Sequence, residues 1–341
     1  MLNIFRTLPK KHPQFFALLF GIILCIIFLF VLESFFYFLN KTKPDIETVY
    51  SKPFYRIDEF GLCSANPGEY KVATINNENN KVIWHVNYSI DEFGKRKTPI
   101  ENEEGRDKFL LLFGCSFTFG VGLQNDQTLA YEIGQRTHKY RPYNFGFGGD
   151  GPFDALARVE TTDFKSQIAE DTGIIIYVLP INVHLERIFG SLDVSRWNGP
   201  RAYYQKGKDG LLVRSGTFSE HRSFLKRLLL KSQILKYNNI KYLFSITEND
   251  IKFAALVINT FFAKFREKYS NAKVYILIYP WSKHKDLLVK YINKDYIKIL
   301  DYTGLLDNYE PKYYLSEYDK HPSHLLNTIL AEKIIKDLDL E

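Results

Sequence analysis

The sequence predicts an α/β domain organised on a five-stranded parallel sheet, and three observations predict it. Apolar runs at residues 109–113, 174–179 and 274–279 stop at Gly114, Pro180 and Pro280. Continuous apolar runs of that length, rather than alternating ones, read as strands buried on both faces. Helical patterns lie between them, the clearest at 249–269, where Ile251, Ala254, Ala255, Ile258 and Phe262 recur on one side. Strands alternating with helices imply crossovers, and so a parallel sheet covered on both faces.

In chain order, the first element is an apolar stretch. Residues 15–32 carry no charge, and 35–39 continue the apolar character after Glu33. At ~1.5 Å per residue, eighteen such positions roughly cross a ~30 Å hydrocarbon layer. Arg6, Lys10 and Lys11 precede it, which puts its start in the cytoplasm, and Lys41 and Lys43 beyond it weaken that bias. No small-residue cleavage site follows. The expectation is an uncleaved signal anchor. Residues 1–40 are then a cytoplasmic stub and single-pass helix of a bacterial inner membrane, contacting it through residues 15–39. The rest of the chain lies outside the cytoplasm.

Residues 41–105 read as a polar linker and a small β-rich segment. Within it Tyr55-Arg56-Ile57-Asp58-Glu59-Phe60-Gly61 is echoed by Tyr88-Ser89-Ile90-Asp91-Glu92-Phe93-Gly94. Two copies are too few for a solenoid. A pair of strand-to-turn elements, with Asp and Gly closing each turn, is the expectation.

Residues 106–341 form the main domain. Its strands are predicted at 109–113, 143–145, 174–179, 274–279 and 297–300. Its helices are predicted at 128–137, 152–164, 249–269 and 322–338, the last with Pro322 in its first turn. The alternation breaks at about 185–248, an insertion with loop-like sequence and a basic amphipathic helix at 223–237. An insertion after a strand's carboxyl end shapes a substrate site or lid, or else decorates the fold and contacts the anchor; the sequence leaves both open.

Composition narrows the function. The chain has 341 residues, 45% hydrophobic and 16% aromatic, which supports a packed core and excludes a disordered chain. Its 45 basic and 39 acidic residues give a net charge of +6, but lysines such as Lys226, Lys231, Lys236 and Lys241 are scattered. That is a solvated basic surface rather than a nucleic-acid groove, with anionic glycans or lipid headgroups still open as partners. Three cysteines, Cys25, Cys63 and Cys115, give no disulfide framework and no zinc spacing, although Cys63 and Cys115 could pair. With no metal cluster and no phosphate-binding glycine loop, no cofactor is expected.

Ser116 lies just past the strand at 109–113, where open α/β sheets bind ligands. A serine hydroxyl needs a base to take its proton and donors for the charge that develops on its target. His321 has the ordinary chemistry of such a base, and a carboxylate beside it would hold its tautomer. Cys115 as nucleophile, His324 as competing base and His184 near the site remain open alternatives.

Four short motifs carry a resemblance. Gly114-Cys115-Ser116-Phe117 is similar to a Gly-Asp-Ser-Leu block, with cysteine for aspartate and phenylalanine for leucine. Asn144-Phe145-Gly146-Phe147-Gly148-Gly149 resembles an Asn-x-Gly-x-Ser-Gly block. Pro180-Ile181-Asn182-Val183 stands where Gly-x-Asn-Asp is found, and departs from it at both ends. Asp319-Lys320-His321 resembles an Asp-x-x-His block with the aspartate one residue closer. In this order, over residues 109–341, the chain resembles the SGNH/GDSL hydrolases, in a membrane-anchored bacterial branch. The resemblance implies a flavodoxin-like three-layer sandwich, Ser116 as nucleophile, His321 as general base and Asp319 as its orienting acid. It implies an oxyanion hole from Ser116, Gly149 and Asn182. The activity implied is a serine ester hydrolase working through an acyl-enzyme, with O-acyl groups of envelope carbohydrate as the expected substrate. An O-acyltransferase using the same residues and an inactive glycan-binding module are the alternatives.

Overall fold

A computed structural model describes residues 13–101, 103–242 and 245–341. Arg6, Lys10 and Lys11 lie outside the described residues. The first element, α1 (Pro13–Lys41), has 29 residues, an 18-residue window of mean hydropathy 3.3, and none of that window buried. By length and composition it is able to cross a membrane. At ~1.5 Å per residue it extends roughly 43 Å, longer than a ~30 Å hydrocarbon layer.

The β-rich segment comprises β1 (Ile46–Tyr50), β2 (Tyr55–Ile57), β3 (Cys63–Ala65), β4 (Gly68–Asn76) and β5 (Lys81–Ile90). The first, fourth and fifth form an antiparallel sheet in the order β1-β4-β5, and β2 pairs with β3. The sequence echo is one turn made twice. Asp58 Oδ1 accepts from the amides of Phe60 and Leu62, both at 2.9 Å, and Asp91 Oδ1 accepts from Phe93 and Lys95 at 3.0 and 2.8 Å. Gly61 and Gly94 close the turns at φ of 76° and 84°, a left-handed conformation that favours glycine.

The main domain continues with β6 (Lys108–Gly114), α2 (Ser116–Phe119), α3 (Leu129–Gly134), β7 (Tyr140–Gly146), α4 (Pro152–Thr161), β8 (Gly173–Leu179) and α5 (Ile181–Phe189). The insertion supplies α6 (Leu192–Ser195), β9 (Ala202–Lys206), β10 (Leu212–Thr217), α7 (Phe224–Leu229) and α8 (Gln233–Tyr237). Then come α9 (Glu248–Lys268), β11 (Lys273–Ile278), α10 (Lys285–Tyr291), β12 (Ile297–Asp301) and α11 (His324–Leu338). The five predicted strands form one parallel sheet in the order β12-β11-β8-β6-β7. The chain therefore starts in the middle and reverses direction once, between β6 and β8.

Successive residues of a strand face opposite sides, and both sides here are apolar. Leu111, Phe113, Ile175 and Tyr177 pack with Leu156 of α4 and Phe261 and Phe265 of α9. Leu110, Leu112, Ile174 and Ile176 pack with Ile133 of α3 and Leu326, Leu330 and Ile334 of α11. Helix, sheet and helix make three layers.

Two helix expectations are corrected. Residues 223–237 form two short helices, because the Ser232 hydroxyl accepts the Leu235 amide and starts a second one. Pro322 is not in the first turn of the last helix. It bridges to Tyr314, and Ser323 caps a helix that begins at His324.

The insertion touches α1 at one end and lines a cavity at the other. Ser232 Oγ and the Gln233 amide donate to Glu33 of α1, and Asn40 Nδ2 donates to the Gln233 carbonyl at 3.0 Å. At its other end Trp197 and Arg201 line the cavity that also holds Ser116.

Replacing the half-buried Asp91 by alanine leaves two turn amides without their acceptor and should cost about 1–2 kcal/mol of unfolding free energy. Asp58→Ala, at an exposed turn, should cost less in the same denaturant titration. Equal and negligible effects would show that the duplicated turns do not hold the segment.

Candidate active site

The end of β6 delivers Ser116. Gly114 closes the strand, Cys115 remains extended, and Ser116 opens the single turn α2. Asn144 of the adjoining β7 fixes that turn from below. Its Nδ2 donates to the Thr118 carbonyl at 2.9 Å and its Oδ1 accepts the Gly146 amide at 3.0 Å. An asparagine buried in this way joins two strand ends by satisfying backbone groups that would otherwise lack partners.

The other half of the site arrives 205 residues later. The loop before α11 is closed on itself, with the Leu315 amide on the His321 carbonyl at 3.0 Å and Ser316 on Asp319 at 3.1 Å. His321 Nε2 lies 2.9 Å from Ser116 Oγ. His321 Nδ1 lies 2.5 Å from Asp319 Oδ1, which also accepts the His321 backbone amide at 3.0 Å. The short spacing between aspartate and histidine is what lets one carboxylate oxygen hold both ring and backbone. Carboxylate on Nδ1 leaves Nε2 to face the hydroxyl, the tautomer a general base requires.

The second oxygen of Asp319 accepts from the indole of Trp84, at 2.7 Å, on β5. Burial pushes the Asp319 carboxyl up, but the hydrogen bonds and charge of His321, and the Trp84 donor, outweigh it and hold it below the ordinary value. It stays an anion at neutral pH. The Phe117 ring packs edge-on against His321, centroids 5.6 Å apart.

Ser116, Gly149 and His321 line one open cavity of about 720 Å³. The backbone amides of Ser116 and Gly149 donate to no acceptor among the described residues. Gly149 sits at φ +82°, and a Cβ there would meet Arg201 Nη2 at 2.8 Å and the Trp197 ring at 3.0 Å, so only glycine fits.

Asn182 opens the helix that follows β8. Pro180 leads straight into α5, which places Asn182 in that helix's first turn, where its Oδ1 accepts the Lys283 amide at 3.1 Å. It lines a separate cavity of about 360 Å³ with Phe117, Trp281 and Tyr314, not the one holding Ser116. Its Nδ2 donates to no acceptor among the described residues.

The open alternatives resolve by position. Cys115 is fully buried, and burial raises its thiol, so it is not a ready nucleophile. All three cysteines are free. His324 Nε2 is engaged by Glu132 at 2.6 Å. His184, on the buried face of α5, lies 3.0 Å from the Tyr177 hydroxyl, and burial followed by the Arg187 charge lowers its pKa to about 3. Among the described residues no group of three or more His, Cys, Asp or Glu is placed to hold a metal ion.

Sequence reasoning missed two residues. Trp84 was legible only as part of a strand. Arg96, fully buried, lies over Tyr88 at 4.2 Å and donates to the carbonyls of Gly120 and Leu123, tying the loop after α2 to the β-rich segment.

No protein-family model matches the chain, and no curated protein sequence does. Among solved structures it is similar to a member of the lipolytic G-D-S-L family from Veillonella parvula, at 12% identity and a TM-score of 0.39, covering 67% of this chain and 97% of that one. It is similar to a lipase/acylhydrolase from Enterococcus faecalis, at 14% identity and a TM-score of 0.37, covering 68% and 95%. An acetyl xylan esterase from the rumen bacterium Butyrivibrio proteoclasticus matches at 15% and 0.37, covering 73% and 68%. These likenesses are remote, and the chemistry of the site rests on its own geometry.

Neutral burial of His184 gives the fold a pH signature. The unfolded chain takes up that proton near pH ~6.5 and the folded one only near 3, so stability falls as pH drops below ~6.5, by up to ~1.4 kcal/mol per unit. Melting scans from pH 7 to 4.5 should show a shallower slope for His184→Asn than for the wild type. Parallel curves would mean the imidazole does not stay neutral in the fold.

Proposed function

We propose that the chain is a serine ester hydrolase of the SGNH/GDSL kind, acting through an acyl-enzyme at Ser116. The observation that carries this is the continuous chain from Ser116 Oγ to His321 Nε2 at 2.9 Å, and from His321 Nδ1 to Asp319 at 2.5 Å. His321 takes the serine proton as Oγ bonds to the acyl carbon. The resulting oxyanion is received by the unengaged amides of Ser116 and Gly149. His321 then returns the proton to the departing alkoxide, and a water activated by the same imidazole releases the acid. Asp319 holds the ring and balances the imidazolium.

The open cavity and the apolar α1 support an extended substrate outside a bacterial inner membrane, an O-acylated envelope carbohydrate. Transfer of the acyl group to a sugar hydroxyl would use the same residues, and product analysis separates it from hydrolysis. An inert glycan-binding module has no use for an aligned Ser–His–Asp chain.

Full-length protein in neutral detergent should turn over 4-nitrophenyl acetate, and Ser116→Ala should lose ~10³-fold or more in kcat. A serine-reactive fluorophosphonate should label the wild type and not that variant. Equal turnover by the two proteins would refute the mechanism.

Trp84→Phe removes one donor from Asp319 without touching the serine. It should lower kcat about tenfold, with KM and melting temperature little changed. A loss confined to KM would place Trp84 in substrate binding instead.

A further inference from the structure

The cavity that holds Ser116 is lined by three arginines, Arg56, Arg187 and Arg201, and by no aspartate or glutamate. Their situations differ. Arg201 is neutralised: its guanidinium donates to Asp150 at 2.8 Å, to Asp154 at 2.7 Å and to the Gly148 carbonyl at 2.8 Å. Asp150 is shared with Arg158 at 3.0 Å, so two acids answer two bases behind the cavity wall. Asp154 and Glu186 reach Arg187 only as charges at a distance. It makes no ion pair and no hydrogen bond among the described residues, and its Nε is buried without a partner. Its guanidinium is held instead by stacking over the Trp197 ring, 4.4 Å from the centroid.

A stacked guanidinium keeps its in-plane donors free, and that fork matches a planar carboxylate. A desolvated donor with no acceptor is unfavourable unless a ligand supplies one. Arg187 also stands in the right place. Its Cβ lies over Gly151, where an added Cβ would come within 2.4 Å, in the turn that presents the Gly149 amide. Arg56, whose Nε donates to Ser64 Oγ at 2.8 Å, adds to the lining a second cation with no carboxylate ion-pair partner among the described residues.

We propose that the substrate carries an anionic group, a carboxylate, which Arg187 binds in the Ser116 cavity beside the reacting ester. This rests on the hydrolase reading and narrows it to acyl esters of acidic molecules, such as a polymer of uronic acids rather than a neutral glycan. Arg187 acts on specificity; the reacting carbonyl is left to the two amides.

The test compares 3- and 4-acetoxybenzoate with the corresponding acetoxybenzamides, which share the acyl group and differ in charge. Wild-type protein in neutral detergent should favour the benzoates by about tenfold or more in kcat/KM, the size of one charge-assisted contact. Arg187→Met should collapse that ratio toward one, and Arg187→Lys should keep part of it. Separately, Ser116→Ala should bind 4-acetoxybenzoate by calorimetry, and adding Arg187→Met should weaken binding about tenfold or more. A wild-type ratio near one, or equal losses for both ester classes in Arg187→Met, would overturn the proposal; the second outcome would put Arg187 on the oxyanion. If Ser116→Ala turns over as the wild type does, the hydrolase reading falls, and the binding titration alone decides the anion site.

Discussion

A carboxylate taken partly out of water has to be met by donors on both oxygens, and that requirement at Asp319 organises the molecule. One oxygen is met locally, by the ring and backbone of His321 two residues away. The other is met by the Trp84 indole, 235 residues earlier in the chain. The β-rich segment is thus part of the site's support rather than a preface to it. Arg96 repeats the logic on the serine side, where a cation of that segment satisfies carbonyls in the loop that follows α2. Serine and histidine come from opposite ends of the sheet domain, and a third region holds both in place.

The sheet was legible because its signal is local. A strand buried on both faces must be apolar at every position, and 109–113 and 174–179 are. Ser116 and His321 were legible through their motifs and their places beside predicted element ends. Trp84 was not, because its importance lies in a bond to a residue remote in sequence and nothing in the residues around it differs from an ordinary strand. The break at Ser232 was visible in principle, since serine is a favoured residue just before a helix, but the amphipathic period across 223–237 masks it.

The insertion joins two functions through one stretch of chain. Its α8 end grips the last turns of α1, where Glu33 and Asn40 lie beyond the uncharged run. Its Trp197 and Arg201 form the wall of the Ser116 cavity. Strain or displacement at one end has a covalent route to the other through about thirty residues, with a hairpin and one short helix between. A helix longer than a hydrocarbon layer leaves those gripping turns free of it, so the contact is compatible with an embedded α1.

Each of the three tryptophans of the chain either supports the site or lines one of two cavities at it. Trp84 donates to Asp319, Trp197 lies beneath the Arg187 guanidinium, and Trp281 lines the neighbouring cavity beyond Phe117. Their excited states therefore sample a carboxylate, a guanidinium and an aromatic cleft respectively, each a different quenching environment. The ultraviolet emission of the native chain is in effect a three-channel reporter of its own site, needing no dye and no label.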